Sequence, residues 1–190
     1  MESRTKQQTR KKIQNVFVEL LTENRIDRIK VSDITKTAHI NRSTFYEYYQ
    51  DVNSLLTDIE DELLSEFRKQ LEMVYQDFKL EHSAEIFGKA LALLNVYGDT
   101  FFALLGPNGD HGFSMRFVEN VKPLILSAFG MQEFTPKLEI LITFEMSGIV
   151  GVYTKWCAEG RKQPLEDVVK SIQELLYAGM TTDNNKPNIL

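Results

Sequence analysis

Apolar residues recur along this chain every three or four positions, and that period restricts its fold more than any other feature. Ile13, Val16, Phe17, Leu20 and Leu21 fall at i, i+3, i+4, i+7 and i+8, which predicts a helix over about residues 5–23 with one apolar face. Val52, Leu55, Leu56, Ile59, Leu63, Phe67, Leu71, Val74 and Phe78 keep the same period with no Gly or Pro inside. They predict a second helix over about residues 52–79, roughly 40 Å long at 1.5 Å per residue. SAEIFGKALALLNVYGDTFFALL and FSMRFVENVKPLILSAFG read as helices joined by the loop GPNGDHG, and Pro123 is expected to bend or divide the latter. KLEILITFEMSGIVGVYTKWCAEG reads as a long apolar helix. PLEDVVKSIQELLYAGM reads as a final amphipathic one, with Leu165, Val168, Val169, Ile172, Leu175 and Leu176 on one stripe, before a tail, TTDNNKPNIL, expected to fray. The predicted class is all-α.

Between the first two helices the pattern shortens. After the turn ENRIDRIK, Ser32 is placed to cap a short helix running to about Ala38, with Asp33 in its first turn. His39 and Ile40 interrupt it, and Asn41 can cap a third short helix through Tyr48 or Tyr49. Two short helices after a longer amphipathic one make the arrangement of a helix-turn-helix. Within the third helix Phe45 and Tyr49 share a side and are expected to pack inward on Ile34, Ala38 and Ile40. Arg42, Ser43, Thr44, Tyr46 and Tyr48 then present one cation and several hydroxyls at the front and flank. That chemistry suits phosphates and base edges, so these five and Ser32 are the candidate DNA contacts.

Charge agrees with that division. The net charge of −5 conceals an asymmetry: residues 1–56 carry net +3 and residues 57–190 net −8. Arg4, Lys6, Arg10, Lys11 and Lys12 concentrate the positive charge at the start, where Lys6 and Arg10 are candidate phosphate contacts; a solvated charged helix end is the alternative. The single Cys157 cannot form an internal disulfide, and no segment reads as a signal peptide or membrane span. A soluble, cytoplasmic protein with no membrane partner is expected. His39, His82 and His111 lie in separate segments, with no HExxH, no GxSxG and no paired-cysteine spacing. No enzyme, metal or cofactor is expected, and GPNGDHG lacks the Lys-Ser/Thr that a phosphate loop needs.

Residues 8–56, and most clearly VSDITKTAHINRSTFYEYYQDVNSLL, resemble the DNA-binding domain of the TetR family of transcriptional regulators. Ile40, Thr44, Phe45, Tyr46, Tyr49, Leu55 and Leu56 fall in register with the family pattern. His39 stands in place of the usual turn glycine, and Val52 in place of a lysine common at the start of the fourth helix. The resemblance implies a helix-turn-helix domain over residues 1–51 and a ligand-binding and dimerisation domain over 52–190, with helix 52–79 as connector. It further implies a homodimeric repressor on a palindromic operator of double-stranded DNA, released by an unknown small-molecule effector. The alternative is a TetR-like coactivator or adaptor that works through a protein partner. YGDTFFALLGPNGDHGF and SGIVGVYTKW resemble a subgroup that includes regulators of dihydroxyacetone kinase operons.

Tyr97, Phe101, Phe102, Phe113, Phe117, Phe144, Tyr153 and Trp156 could line a pocket between helices or fill a solid core. Glu145, acidic in an apolar run, could meet a cationic ligand, pair across a dimer interface or face solvent. The last two long helices hold more apolar area than one bundle face can bury, and Ser147, Gly148 and Gly151 would permit close helix approach. A two-fold four-helix interface is expected, with DNA-reading heads about 34 to 36 Å apart; the alternative is that these helices are wholly internal to one chain.

Overall fold

The computed structural model describes residues 4–75, 97–128 and 130–181. These form helices α1 (Arg4–Glu23), α2 (Val31–Thr37), α3 (Arg42–Tyr46), α4 (Val52–Tyr75), α5 (Gly98–Leu105), α6 (Phe113–Ala128), α7 (Pro136–Ala158) and α8 (Leu165–Thr181), with a 3-10 turn at Ile26–Arg28. The architecture is all-α, as the period predicts. Residues 76–79 of the expected connector, the first part of the helix expected from Ser83, and the tail beyond Thr181 lie outside the described residues.

In α1 the stripe expected from the spacing is the buried one: Ile13, Phe17 and Leu21 are fully enclosed. They pack α1 on α2, and α2 in turn packs on α3. Ser32 does not cap α2. Lys30 takes that place, and its backbone N–H donates to the Asp33 carboxylate at 3.0 Å, while Ser32 lies exposed in the first turn. Because α2 already begins at Val31, Ser32 is inside its first turn, and Asp33 at the third position reaches back to the Lys30 N–H as the acidic half of a capping box. His39 adopts φ 49°, the left-handed region where a glycine would be at ease. Helix α3 closes at Tyr46, about half a turn earlier than expected, and Tyr48 continues as a turn with its N–H donating to the Phe45 carbonyl.

Asp51 and Ser54 start α4 by a reciprocal cap: the carboxylate accepts from the Ser54 N–H at 2.7 Å and the hydroxyl accepts from the Asp51 N–H at 3.1 Å. From there α4 runs along α6, while α5 lies against α1, α6 and α7. Helix α6 passes through Pro123 undivided. Thr135 caps α7, accepting from the Leu138 N–H at 3.3 Å, with Pro136 in the first turn where its missing N–H costs nothing.

The loop of residues 106–112 ties this body to the N-terminal helices. The Ile26 N–H donates to the Asn108 carbonyl at 3.0 Å, and the Asn108 amide donates to the Thr22 carbonyl at 3.1 Å. Gly109 makes the approach possible, because a Cβ there would lie 2.0 Å from the Leu104 carbonyl oxygen.

Candidate nucleic-acid interface and regulatory core

Helix α3 has two faces, and they divide as the period predicts. Phe45 is fully buried and Tyr49 nearly so, while Arg42, Ser43 and Tyr46 are exposed and Thr44 and Tyr48 half-buried. The Tyr46 ring stands edge-on against Phe45, with centroids 5.7 Å apart, so its base is held by the core while its hydroxyl stays in water. Tyr49 spends its hydroxyl differently, donating to the Asp58 carboxylate at 2.7 Å. The four clustered aromatics thus separate into two that anchor the fold and two whose hydroxyls remain at the surface.

Asp58 collects more than Tyr49. Arg10 forks onto it, with Nη2 at 2.5 Å and Nε at 3.1 Å, and the Gln14 amide donates to it at 3.1 Å. Burial opposes its charge, yet the hydrogen bonds from Arg10 and Tyr49 hold the Asp58 carboxyl below its ordinary value. Burial, aided by the contact with Asp58, pushes the Tyr49 phenol up. Arg10 is thus held at the joint between α1 and α4, with its side chain 38% exposed. Lys11 likewise reaches Glu62 of α4 at 3.3 Å. Arg4, Lys6 and Lys12 remain exposed as the basic end.

In the body the expected aromatics gather, with one exception. Phe101 packs against Phe117 at 4.9 Å between centroids, and Phe67 of α4 against Phe117 at 5.0 Å. Phe113 joins these two, Tyr97 meets Phe67 at 6.3 Å, and Phe102 touches Tyr153 and Trp156 at 5.8 and 5.0 Å. Such spacings are those of close-packed rings. The Tyr153 hydroxyl is enclosed without a hydrogen-bond partner among the described residues, and burial pushes its phenol up. Phe144 lies outside this cluster, 76% exposed on the opposite side of α7. Glu145 is half-buried on the same helix, its carboxyl raised by burial. The open space nearby is at the junction with α1, where two clefts of about 520 and 760 Å³ share Phe102 and Arg161.

Comparison with known proteins gives this arrangement a family. Residues 81–178, just over half of the chain, match the profile described as a TetR-type transcriptional regulator C-terminal region. The chain belongs to the TetR family of transcriptional regulators. A curated member, the HTH-type dhaKLM operon transcriptional activator DhaS of Lactococcus lactis subsp. lactis (strain IL1403), is 45% identical over 49 residues. That match spans only 26% of either protein. A TetR transcriptional regulator from Streptococcus agalactiae 2603V superposes with a TM-score of 0.63 at 25% identity, over 91% of this chain and 96% of that one. The fatty acid degradation regulator FadR from Bacillus halodurans shares the fold, with a TM-score of 0.72 at 16% identity over 95% and 98%. Membership of this family makes the chain a regulator and not an enzyme.

Two features of this TetR-family body escape sequence reasoning. Glu60 of α4, 4% exposed, accepts from Arg116 of α6 at 2.5 Å, and Arg116 also holds Asp110 of the 106–112 loop. Burial raises the Glu60 carboxyl even against Arg116. An acidic residue four positions after Leu56 and three before Leu63, inside the buried stripe of α4, was the available signal. Nothing in the spacing points to Arg161, whose guanidinium lies over the Phe102 ring at 5.0 Å. None of the described helices is long and apolar enough to cross a membrane.

Proposed function

We propose that this TetR-family regulator is a sequence-specific, homodimeric DNA-binding repressor, with residues 1–51 as the DNA-binding domain and 52–190 as the effector-binding and dimerisation domain. Helix α3 enters the major groove of a palindromic operator, and a small-molecule effector releases it. The observation that carries this reading is the division of α3: Phe45 and Tyr49 lock the helix down while Arg42, Ser43 and Tyr46 stand exposed on its outer side. Arg42 can donate a bidentate pair to guanine, and the hydroxyls of Ser43, Thr44, Tyr46 and Tyr48 can fix register on phosphates. Lys6 and Arg4 supply sequence-independent attraction.

Dimerisation is supported by the outer side of α7. Ile140, Phe144, Gly148 and Val152 follow one another at intervals of four, and Ile140 and Phe144 are 72% and 76% exposed. A Cβ on Gly148 or Gly151 would meet nothing within 4 Å, so this side is open to a second helix. Leu175 of α8, also exposed, extends the same apolar character. An exposed apolar ladder of this kind is a place for a second copy of the chain.

A second reading, a coactivator that works through a protein partner, draws on the close packing of the body's aromatics and on the activator role in the name of the DhaS relative. Fluorescence anisotropy on genomic fragments selected by the purified protein separates the two. The repressor reading requires direct binding by the protein alone, lost in Arg42→Ala without loss of fold; binding only in the presence of a second protein supports the coactivator.

A further inference from the structure

We infer that the trench between α1 and the body is a binding site for a small organic anion, a carboxylate or phosphate ester, anchored by Arg161. The two clefts share Asn15, Val18, Asp99, Thr100, Phe102 and Arg161, so they form one trench along the junction. Its walls come from α1 and α4 on one side and from α5 and the end of α7 on the other. An occupant therefore touches the helices that carry the DNA-reading head and the body at once.

Arg161 is placed with unusual care. Gly160 and Arg161 take φ of 80° and 55° in succession, which turns the chain back at the end of α7. A residue with a Cβ resists that conformation, and such outliers persist where the surroundings over-determine them. Here the guanidinium rests 5.0 Å from the Phe102 centroid and 5.9 Å from that of Trp156. Arginine lying on ring faces keeps its N–H edge available for an oxyanion. Its one carboxylate partner among the described residues is Asp99, at 3.3 Å, and the Asp99 side chain is 95% exposed. An exposed pair of this kind is weak and exchanges readily.

The second cation of the trench is Lys11, on the α1 wall. It is paired with Glu62 at 3.3 Å, both side chains well exposed. An anion that engages Arg161 and Lys11 joins the body to the head, and the half-buried Val18, Tyr97 and Leu165 offer a wall to an apolar remainder. Glu19, Glu62, Glu66 and Asp99 also line the trench, but an organic cation fits less well because Arg161 already covers the Phe102 and Trp156 rings a cation would use. This site deepens the proposed effector response by naming where the effector sits, and it rests on that reading. Population shift follows if the anion fits one head-to-body arrangement better than another.

Trp156 is the only tryptophan in the chain and lines the trench. The Arg161 guanidinium lies 5.9 Å from its ring centroid, so an anion on Arg161 changes the surroundings that its emission reports. The full-length protein is titrated with benzoate, phenyl phosphate and benzylamine, following Trp156 fluorescence. Both anions are expected to give a saturable change and benzylamine none. Arg161→Gln, checked for an unchanged melting transition, weakens the anions roughly tenfold, the scale of one charge-assisted contact. Lys11→Gln, on a different element, weakens them several-fold and serves if Arg161→Gln fails to fold. Absence of saturation with either anion, saturation by benzylamine alone, or unchanged affinity in the folded variants overturns the site. Operator binding measured on the same protein without additives keeps the outcomes apart: intact DNA binding with a silent Trp156 refutes the trench and leaves the DNA reading standing.

Discussion

Arg116→Met removes the clasp between α4 and α6 while keeping most of the side-chain volume. Glu60 is 6% exposed at its side chain and loses its partner, whereas Arg116 itself is 45% exposed. Breaking a buried ion pair by removing one member costs about 3 to 5 kcal/mol, because the remaining charge stays buried. Water already screens the arginine end here, which places the expected loss lower, at about 2 to 3 kcal/mol near pH 7. The loss depends on pH with a definite sign. Burial raises the Glu60 carboxyl above its ordinary 4.5 even in the intact pair, and without Arg116 it rises further. A raised carboxyl favours the folded state below the unfolded value and loses that advantage as pH climbs through the folded one. Asp110 acts in the same sense on the mutant. Arg116 holds it below its ordinary value against burial, so the stability it gives above that value disappears with the arginine. The variant is therefore weakest relative to wild type at neutral pH and approaches it below about pH 4. Urea denaturation at a series of pH values measures this. A difference below about 1 kcal/mol at pH 7, or one that does not change with pH, would refute the reasoning.

Phe45→Ala, at a fully buried ring, should cost about 3 to 5 kcal/mol by thermal or urea unfolding, while Tyr46→Phe leaves stability nearly unchanged and weakens operator binding. Arg10→Ala should lower stability with little effect on the salt dependence of DNA binding, since Asp58 already holds that side chain; Lys6→Ala should leave stability alone and reduce the salt slope by roughly 0.9. Phe144→Glu is expected to convert a dimer into monomers by light scattering without unfolding the chain, because the ring is exposed within one copy; an unchanged mass would remove α7 from the interface.

Helical period exposed most of the fold because each amphipathic stripe had one place to go. Ile13, Phe17 and Leu21 are buried where the spacing puts them, and so are Phe45 and Tyr49. What the period could not resolve was competition between polar groups. Ser32 and Asp33 both suit the start of α2, and the helix begins one residue before Ser32, which leaves Asp33 to close the cap on Lys30. Arg10 offered the same cation to DNA or to Asp58, and its pairing with Asp58 emerges only from the approach of α1 to α4. Phe144 was legible after all: it lies nine residues before Tyr153, about two and a half turns, so the period already puts it on the opposite side of α7. The site at Arg161 depends on two left-handed residues in succession, which leave no periodic trace.

Whether α3 reads DNA is the centre of the account, and selection of genomic fragments by the purified protein, followed by sequencing, tests it most directly. Wild type should enrich a palindrome whose half-sites lie about one helical turn or a multiple of it apart, and Arg42→Ala should lose that enrichment while remaining folded. Equal enrichment by wild type and Arg42→Ala, or no enriched sequence from wild type at physiological salt, would contradict it.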